Sequence, residues 1–274
     1  MNEANRSYRN NVVAGIQARM GSTRLPGKSL AELAGIPMIQ RVYERASAAS
    51  CVDAVIVLTT TEAVDDPLAE HCERNGIPCR RGPEQDVFAR YTQLMDEFGP
   101  RYVVRITGDC PFICPQHIDA QVRALEAHDA DFAPAGATEH VFAGQAVISS
   151  HALQAAARST DPADREHVGS FYLAQHANDF CSVPIRTTNF PGSDHLRLCV
   201  DEATDLEAAR AVYDALAPTW GSLIPITEVV RYLLANEDVG QLASAAGHSD
   251  ANRRLQAIKG QTRASQGGSS GAMG

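Results

Sequence analysis

The chain has 274 residues, 44% hydrophobic and 21% charged, which is enough apolar material for a large core and excludes fibrous and fully disordered proteins. A net charge of −9, from 24 basic and 33 acidic residues, argues against non-specific binding to long nucleic acids. No apolar run reaches the roughly 18 residues of a membrane span, and residues 1–11 lack the apolar stretch of a signal peptide. We therefore expect a cytoplasmic protein that does not act on a membrane.

The first half of the chain alternates strand and helix patterns. An apolar strand is predicted at residues 12–16, followed by a loop rich in Gly and Arg and a helix at 37–49. Further strands are predicted at 54–60 and 101–107, and further helices at 63–75 and 115–128. Such alternation predicts an α/β fold in which a parallel sheet is covered by helices on both faces and binds ligands at the carboxyl ends of its strands.

The second half is less regular. Its patterns predict helices at 163–177 and 206–216 and strands at 180–185 and 196–200. We expect one domain over residues 12–247, with a small subdomain or dimer arm at roughly 131–200. Residues 260–274 are rich in Gly, Ser and Gln, a composition typical of a flexible tail or of residues added for expression, and they are left out of the predicted fold.

The seven cysteines are an odd number in a large chain with no secretion signal, so reduced thiols are expected rather than a disulfide framework. Cys110 and Cys114 have no second pair at zinc-ribbon spacing, which argues against a zinc site. Buried, inert thiols are the expected fate of these residues.

The loop after the first strand carries the clearest motif. Glycines at positions 15, 21 and 27 permit successive backbone N–H groups to face an anion. Three cations accompany them: Arg19, Arg24 and Lys28. Together they suit a polyphosphate, although a solvated basic stretch would give the same charge pattern. A P-loop is excluded because five residues, not four, separate Gly21 from Gly27, and the dinucleotide fingerprint is absent.

Residues 17–28, QARMGSTRLPGK, resemble the signature loop of sugar-activating cytidylyltransferases, above all the group named for spore coat polysaccharide biosynthesis protein F. CMP-KDO and CMP-sialate synthetases are more distant relatives of that group. Further matching motifs follow in the expected order over roughly residues 12–217: DDPL at 65–68, RGPEQDVFARY at 81–91, VRITGDCP at 104–111, REHV at 165–168 and LRLCVD at 196–201. The resemblance implies a mostly parallel, Rossmann-like sheet of the nucleotide-diphospho-sugar transferase (GT-A-like) type.

The resemblance also implies which residues bind CTP. Arg19 and Lys28 would bind the triphosphate and act in catalysis. The assisting residues of the loop would be Ala18, Gly21, Ser22 and Arg24. Weaker candidates for the cytosine pocket are Thr59, Asp86 and Arg90, and for Asp86 and Arg90 an i,i+4 pair on an exposed helix face is an alternative interpretation.

Two aspartates match the metal ligands of the family. Asp109 and Asp201 each follow an apolar strand pattern, so they would meet at one sheet edge and hold Mg²⁺, with Asp109 also catalytic. The alternatives are that Asp201 caps a helix and that Asp109 is a turn residue.

The reaction implied is attack of an acceptor oxygen on the α-phosphorus of CTP, with release of pyrophosphate, in polysaccharide biosynthesis. The acceptor would be a sugar, a sugar acid or a small phosphorylated molecule. Its candidate contacts are His140, Glu166 and His167, any of which would serve as general base for a hydroxyl nucleophile. The sequence departs from relatives at residues 136–145, which leaves the sugar open. For Glu166 and His167, capping and surface pairing are equally compatible with the sequence.

Other functions are compatible with parts of this pattern. A nucleotidyltransferase for another nucleotide, or a glycosyltransferase of the same fold, has the same pattern of elements. A non-catalytic nucleotide-binding protein is disfavoured because it does not need two metal carboxylates. A serine hydrolase is disfavoured because the only Ser in a Gly-rich context near the end of the chain lies in the predicted flexible tail and not on a strand-to-helix elbow. A homodimer is expected, with the middle segment as its interface.

Overall fold

A computed structural model describes residues 10–133, 140–185 and 190–243 of the chain. The strands are β1 (Asn10–Gln17), β2 (Glu32–Leu33), β3 (Ile36–Pro37), β4 (Ala54–Thr60), β5 (Cys79–Gly82), β6 (Pro100–Thr107) and β7 (Gln145–Ser149). Five of them form the central sheet in the order β5-β4-β1-β6-β7, and β2 and β3 form a small hairpin. Only β7 runs antiparallel to its neighbour in the central sheet, so the predicted mostly parallel α/β sheet is confirmed.

The helices are α1 (Met38–Ser47), α2 (Asp66–Arg74), α3 (Val87–Phe98), α4 (Pro115–His128), α5 (Ser150–Ala156), α6 (Pro162–His167), α7 (Ser170–Gln175), α8 (Ala203–Trp220), α9 (Ile226–Ala235) and α10 (Glu237–Leu242). Helices α1, α2 and α4 bury their apolar residues in one core cluster, and α3 and α5 in another. In β1, Val12 and Ala14 belong to the first cluster and Val13 to the second, as the two-residue period of a strand requires. Both faces of the sheet are therefore covered, which explains the continuous apolar runs.

A third core cluster brings the end of the chain to the carboxyl edge of the sheet. Apolar residues of α8 and α9 pack against Phe112, from the loop after β6, and against Leu198. The backbone N–H of Val200 donates to the carbonyl of Asp109 over 2.7 Å, which joins the two segments directly. Residues that are distant in sequence thus meet at the ends of β1 and β6.

Three predictions for the second half are wrong, and the first two concern residues 163–177 and 196–200. The predicted helix at 163–177 is divided into α6 and α7, because Val168 and Gly169 have φ angles of 54° and 74° and end the first helix. The segment 196–200 is not a strand in the described structure: Leu196, Leu198 and Val200 are buried alternately, but against α8 and α9 rather than beside another strand. Alternating burial produced a strand-like pattern without strand pairing.

In 180–185 the structure has one isolated bridge, between Ser182 and Phe132, instead of the predicted strand. The predicted tail at 260–274 lies outside the described residues, and the boundaries of the domain and of the middle subdomain stay predictions. Among the described helices, none combines the length and apolarity that crossing a membrane requires.

Crowding at Gly169 gives a test of this packing. A Cβ there would lie 2.6 Å from Ala156 Cβ and 2.9 Å from Phe88 Cε2, whereas a Cβ at Gly192, which also has a positive φ, would meet nothing within 4 Å. We expect Gly192→Ala to lower the free energy of unfolding by about 1 kcal/mol, the cost of the left-handed backbone alone. Gly169→Ala should lower it by a further ~1–3 kcal/mol because it also overpacks the core. Urea unfolding measures both, and equal losses would contradict the packing described.

Candidate active site

The loop after β1 is folded on itself and anchored to the sheet. The carbonyl of Met20 accepts hydrogen bonds from the N–H groups of Ser22 and Gly27, each at 2.9 Å. The N–H of Met20 donates to Oδ1 of Asp65, a carboxylate that is only 1% exposed. Gly27 has a φ of 77°, a conformation in which other residues are strained. The backbone of the loop therefore has a fixed shape, and Arg19 and Lys28 project from its two ends.

Lys28, at the end of this loop, joins both predicted metal carboxylates. Its Nζ donates to Asp109 Oδ2 at 2.8 Å, to Asp201 Oδ1 at 3.0 Å and to the carbonyl of Val200 at 2.7 Å. Only 11% of the Lys28 side chain is exposed. The structure thus brings together three of the four residues that the resemblance assigns to catalysis or metal binding; the fourth, Arg19, pairs with Glu84 instead.

Asp201 is the more buried of the two carboxylates, with 14% of its side chain exposed against 27% for Asp109. Its Oδ2 accepts a hydrogen bond from Arg197 and lies 3.1 Å from Arg24 Nη2. Burial raises the pKa of Asp201, but the charges and hydrogen bonds of Lys28 and Arg197 outweigh burial and lower that pKa to about 2. The carboxylate is therefore ionised at neutral pH.

Of the two alternative interpretations, the helix cap at Asp201 is wrong and the turn at Asp109 is correct. Asp201 does not cap a helix, because Glu202 is the N-cap of α8 and forms a capping box with Asp205. Asp109 does lie in a turn, directly after β6, and from that turn its side chain reaches Lys28.

The remaining loop residues differ in exposure. Arg19 is 41% exposed and its Nη1 lies 3.4 Å from Glu84. Arg24 is 52% exposed and pairs with Asp201 and Glu202. A Cβ added to Gly21 would meet only Glu84, at 4.0 Å, so the backbone there borders open space. Two arginines and an open stretch of backbone thus face solvent above the Lys28 centre, with Ser22 partly exposed as well.

Ala18 anchors the start of the loop, because its N–H donates to the carbonyl of Leu58 over 3.1 Å. Its Cβ packs against Gly108, which has no side chain there. A Cβ on Gly108 would lie 2.8 Å from that of Ala18. The loop and the turn that carries Asp109 are therefore packed tightly together.

Of the three candidates for the base pocket, Asp86 and Arg90 have other partners, whereas the buried Thr59 hydroxyl has no hydrogen-bond partner among the described residues. Thr59 is fully buried, and Arg90 is 3% exposed and donates to the carbonyl of Leu58 at 2.8 Å. Asp86 accepts the N–H of Ala89 at the start of α3 and pairs with Arg165 at 2.6 Å. The i,i+4 pair between Asp86 and Arg90 is therefore not formed, because each has a different partner. Their role in binding the base stays a prediction.

Two of the three acceptor candidates lie side by side on α6. Glu166 is exposed, and His167 is half-buried with its ring 5.6 Å from that of Phe171. Burial, and then the charge of Arg105, lower the pKa of His167, so its imidazole is neutral at pH 7. His140 follows the gap at 134–139, and its Nε2 lies 3.1 Å from the Ser193 hydroxyl.

The expectation of seven reduced thiols is wrong for one pair. Cys110 and Cys199 form a disulfide, with their Cα atoms 4.3 Å apart, and the other five cysteines are free. An odd number of cysteines and the lack of a secretion signal argue against a network of disulfides. They do not predict whether the fold brings two distant thiols together. This bond joins the residue after Asp109 to the residue two before Asp201.

Sequence reasoning also missed Arg197, which holds Asp201, and Arg105. Both lay within the motifs at 196–201 and 104–111 but were given no role. A basic residue inside an apolar strand pattern, as Arg105 is, was the available signal.

Comparison with known proteins gives one family match and several relatives. The sequence pattern of the family described as Cytidylyltransferase matches residues 13–238. Spore coat polysaccharide biosynthesis protein SpsF of Bacillus subtilis strain 168 is 30% identical over 217 residues, which are 74% of this chain and 87% of that protein. The 3-deoxy-manno-octulosonate cytidylyltransferase of Chlamydia trachomatis serovar A is 27% identical over 247 residues, covering 80% of this chain and 92% of that protein.

Solved structures share the fold. A cytidylyltransferase from Leptospira borgpetersenii superposes with a TM-score of 0.73 at 21% identity, over 89% of this chain and all of that one. CMP:2-keto-3-deoxy-manno-octonic acid synthetase, solved in complex with CTP, gives a TM-score of 0.55 at 19% identity over 75% of this chain and 99% of that one.

The Cys110–Cys199 bond is tested by counting thiols. The unreduced, denatured chain should titrate five thiols and the reduced chain seven. Reduction opens a link between residues 89 apart in sequence and should lower the free energy of unfolding by about 2–4 kcal/mol. Cys199→Ser is the control, since its stability should not respond to a phosphine reductant. Seven titrating thiols in the unreduced chain would contradict the bond.

Proposed function

The chain belongs to the cytidylyltransferase family, and from that premise we propose that it transfers CMP from CTP to a sugar acid and releases pyrophosphate. The observation that carries this proposal is the Lys28 centre, in which one ammonium is hydrogen-bonded to both Asp109 and Asp201 beside a glycine- and arginine-containing loop. The names of the relatives, which include a 3-deoxy-manno-octulosonate cytidylyltransferase, support a sugar acid as acceptor.

In the proposed reaction an acceptor oxygen forms a bond to the α-phosphorus of CTP, and the bond from that phosphorus to the bridging oxygen breaks. The electron pair leaves with pyrophosphate, whose charge must be neutralised as it develops. We propose that Arg19 and Arg24, which are exposed on the loop, bind the phosphate chain, and that Lys28 adds a third cation at the loop's end. Because the loop is anchored through Met20 and Asp65, the backbone that carries these cations has its shape before the nucleotide binds.

We also propose that Asp109 and Asp201 bind Mg²⁺ during the reaction. The donor set fits: both carboxylates contact the same nitrogen, so their oxygens converge on one point, and Asp201 is ionised. The neighbouring sulfurs of Cys110 and Cys199 are tied in a disulfide and cannot act as thiolate ligands, which leaves a hard, all-oxygen site. The ion would supply Lewis-acid polarisation of the phosphate oxygens. Arg197 donates to the other oxygen of Asp201, Oδ2, and so orients that carboxylate independently of Lys28.

On the acceptor side, a hydroxyl nucleophile has to lose a proton. His167 is neutral and half-buried, so it can accept one, and Glu166 beside it can accept hydrogen bonds from sugar hydroxyls. His140 remains a candidate of the same kind. The homodimer and its interface in the middle segment stay predictions.

Removal of the Lys28 charge tests the proposal. With CTP saturating, Mg²⁺ present and a panel of acidic sugars, we expect Lys28→Met to lower the turnover of pyrophosphate release by roughly tenfold or more, that is by about 1.4 kcal/mol or more of transition-state stabilisation. Lys28→Arg, which keeps the charge, should lose less. Arg231→Met is the control, because Arg231 lies exposed on α9 and pairs only locally with Glu228.

The same assay separates the alternatives. Pyrophosphate release with another nucleotide but not with CTP would overturn the assignment of CTP. Near-normal turnover of a correctly folded Lys28→Met variant, checked by circular dichroism, would remove the loop from the mechanism.

A further inference from the structure

Arg105 is a basic residue in the middle of the central sheet. It lies on β6, between β1 and β7, where it is paired with Gly15 and Ala146. Its neighbours along the strand, Val104 and Ile106, are fully buried, and Arg105 itself is partly buried. A charged side chain at such a position loses much of its hydration. That cost has to be offset by protein partners or by a bound ligand of opposite charge.

The protein compensates Arg105 only in part. Its Nε donates to Oε1 of Gln17, at the end of β1, over 3.1 Å. Over the described ranges it forms no ion pair, and its two terminal nitrogens have no hydrogen-bond partner. Arg45, a buried arginine of α1, is different: its guanidinium donates to the carbonyls of Ile113, Ser222 and Ile224. Gln17 thus orients the guanidinium of Arg105, and the two terminal nitrogens, the fork of the side chain, have no acceptor among the described residues.

Arg105 lies near the carboxyl end of β6, two residues before its last residue, Thr107. By the two-residue period of a strand it shares a face with Val103, which packs in the same core cluster as α3. Helix α6 lies against α3, since the Arg165 guanidinium is 5.1 Å from the centre of the Phe88 ring.

Burial lowers the pKa of Arg105, while the charges of Asp109 and Glu166 act in the opposite sense, so both carboxylates lie within electrostatic range of the guanidinium. Asp109 belongs to the Lys28 centre, and Glu166 lies on α6. The His167 imidazole, next to Glu166, also senses the charge of Arg105. Arg105 therefore lies within electrostatic range of Asp109, in the Lys28 centre, and of Glu166 and His167 on α6.

An open guanidinium fork in a partly desolvated position is suited to a planar, bidentate anion. The phosphate chain of CTP already has three cations on the loop after β1, namely Arg19, Arg24 and Lys28. A second cation site, near α6, is therefore available to a second anion, which has to be on the acceptor. Glu166 cannot contact that anion but can accept hydrogen bonds from the hydroxyl groups of the same molecule.

We propose that the terminal nitrogens of Arg105, oriented by Gln17, bind the carboxylate of the sugar-acid acceptor and so determine acceptor specificity. This inference rests on the proposed function, since it names the group that recognises its acceptor.

The experiment compares Arg105→Gln with Arg101→Gln, a control on the same strand whose arginine pairs with Asp129 at its outer end. The probes are 3-deoxy-manno-octulosonate and N-acetylneuraminate, with a sugar 1-phosphate and a neutral hexose as further arms. Loss of a bidentate charged contact should raise the KM for the acidic sugar about tenfold or more in Arg105→Gln, while the KM for CTP stays within about twofold. Arg101→Gln should change neither constant.

Two further variants guard against a folding defect. Gln17→Ala removes the acceptor that orients the fork and should raise the KM for the acidic sugar in the same direction by a smaller factor. Arg105→Lys keeps the charge but loses the fork, and should fall between the wild type and Arg105→Gln. An unchanged KM for CTP in each variant shows that the nucleotide site is intact.

Binding of each probe is also measured by calorimetry with a non-hydrolysable CTP analogue, which does not depend on turnover. Weaker binding of the acidic sugar to Arg105→Gln supports the proposal even if no probe is turned over, a result that would count against the proposed function alone. If the acidic sugar is used but Arg105→Gln behaves like Arg101→Gln, the role of Arg105 is overturned and the proposed function stands. A wild type that binds only the phosphate or the neutral sugar overturns the carboxylate assignment.

Discussion

The hydrogen bonds of one ammonium group organise this site. Lys28 joins Asp109, 81 residues away, and Asp201, 173 residues away, at the carboxyl edge of the sheet. The two carboxylates lie 2.8 and 3.0 Å from the same nitrogen, and at such a separation they would repel each other without a cation between them. The anchored loop, the bond from Val200 to Asp109, the Cys110–Cys199 disulfide and the pairing of Arg197 with Asp201 all hold that arrangement in place.

Electrostatic repulsion also bears on the two substrates of the proposed reaction, since both are anions. A nucleotide triphosphate and an acidic acceptor repel each other in solution, and their reaction requires a site that offers separate positive charge to each. In the proposed reaction the exposed arginines of the loop after β1 serve the first, and the open guanidinium of Arg105, partly buried on β6, serves the second. The charges of Asp109 and Glu166 act on Arg105, although neither carboxylate forms an ion pair with it within the described residues. The charges are thus arranged along the edge of the sheet rather than gathered in one patch.

Much of the first half of the fold was predictable because its physical signals are local. The strand at 54–60 and the helix at 115–128 were predicted with their observed bounds, since a strand buried on both faces has a continuous apolar run and Pro115 marks the first turn of its helix. The segment 196–200 was mistaken for a strand because packing on helices gives the same two-residue alternation as pairing in a sheet. The short strand β5, with two arginines in four residues, gave no apolar signal at all. Within the site, the motifs indicated Lys28, Asp109 and Asp201, but no sequence pattern shows which arginine lacks a partner or which two of seven cysteines meet.

The most direct test of the account is a double-mutant cycle on the free energy of unfolding, with wild type, Lys28→Met, Asp201→Asn and the double variant measured by urea titration without added metal. The account predicts that the two changes are coupled by about 1–3 kcal/mol, because each single variant leaves a charge without its partner in a partly buried site. Effects that add within about 0.5 kcal/mol would contradict it, since the two groups would then not depend on each other.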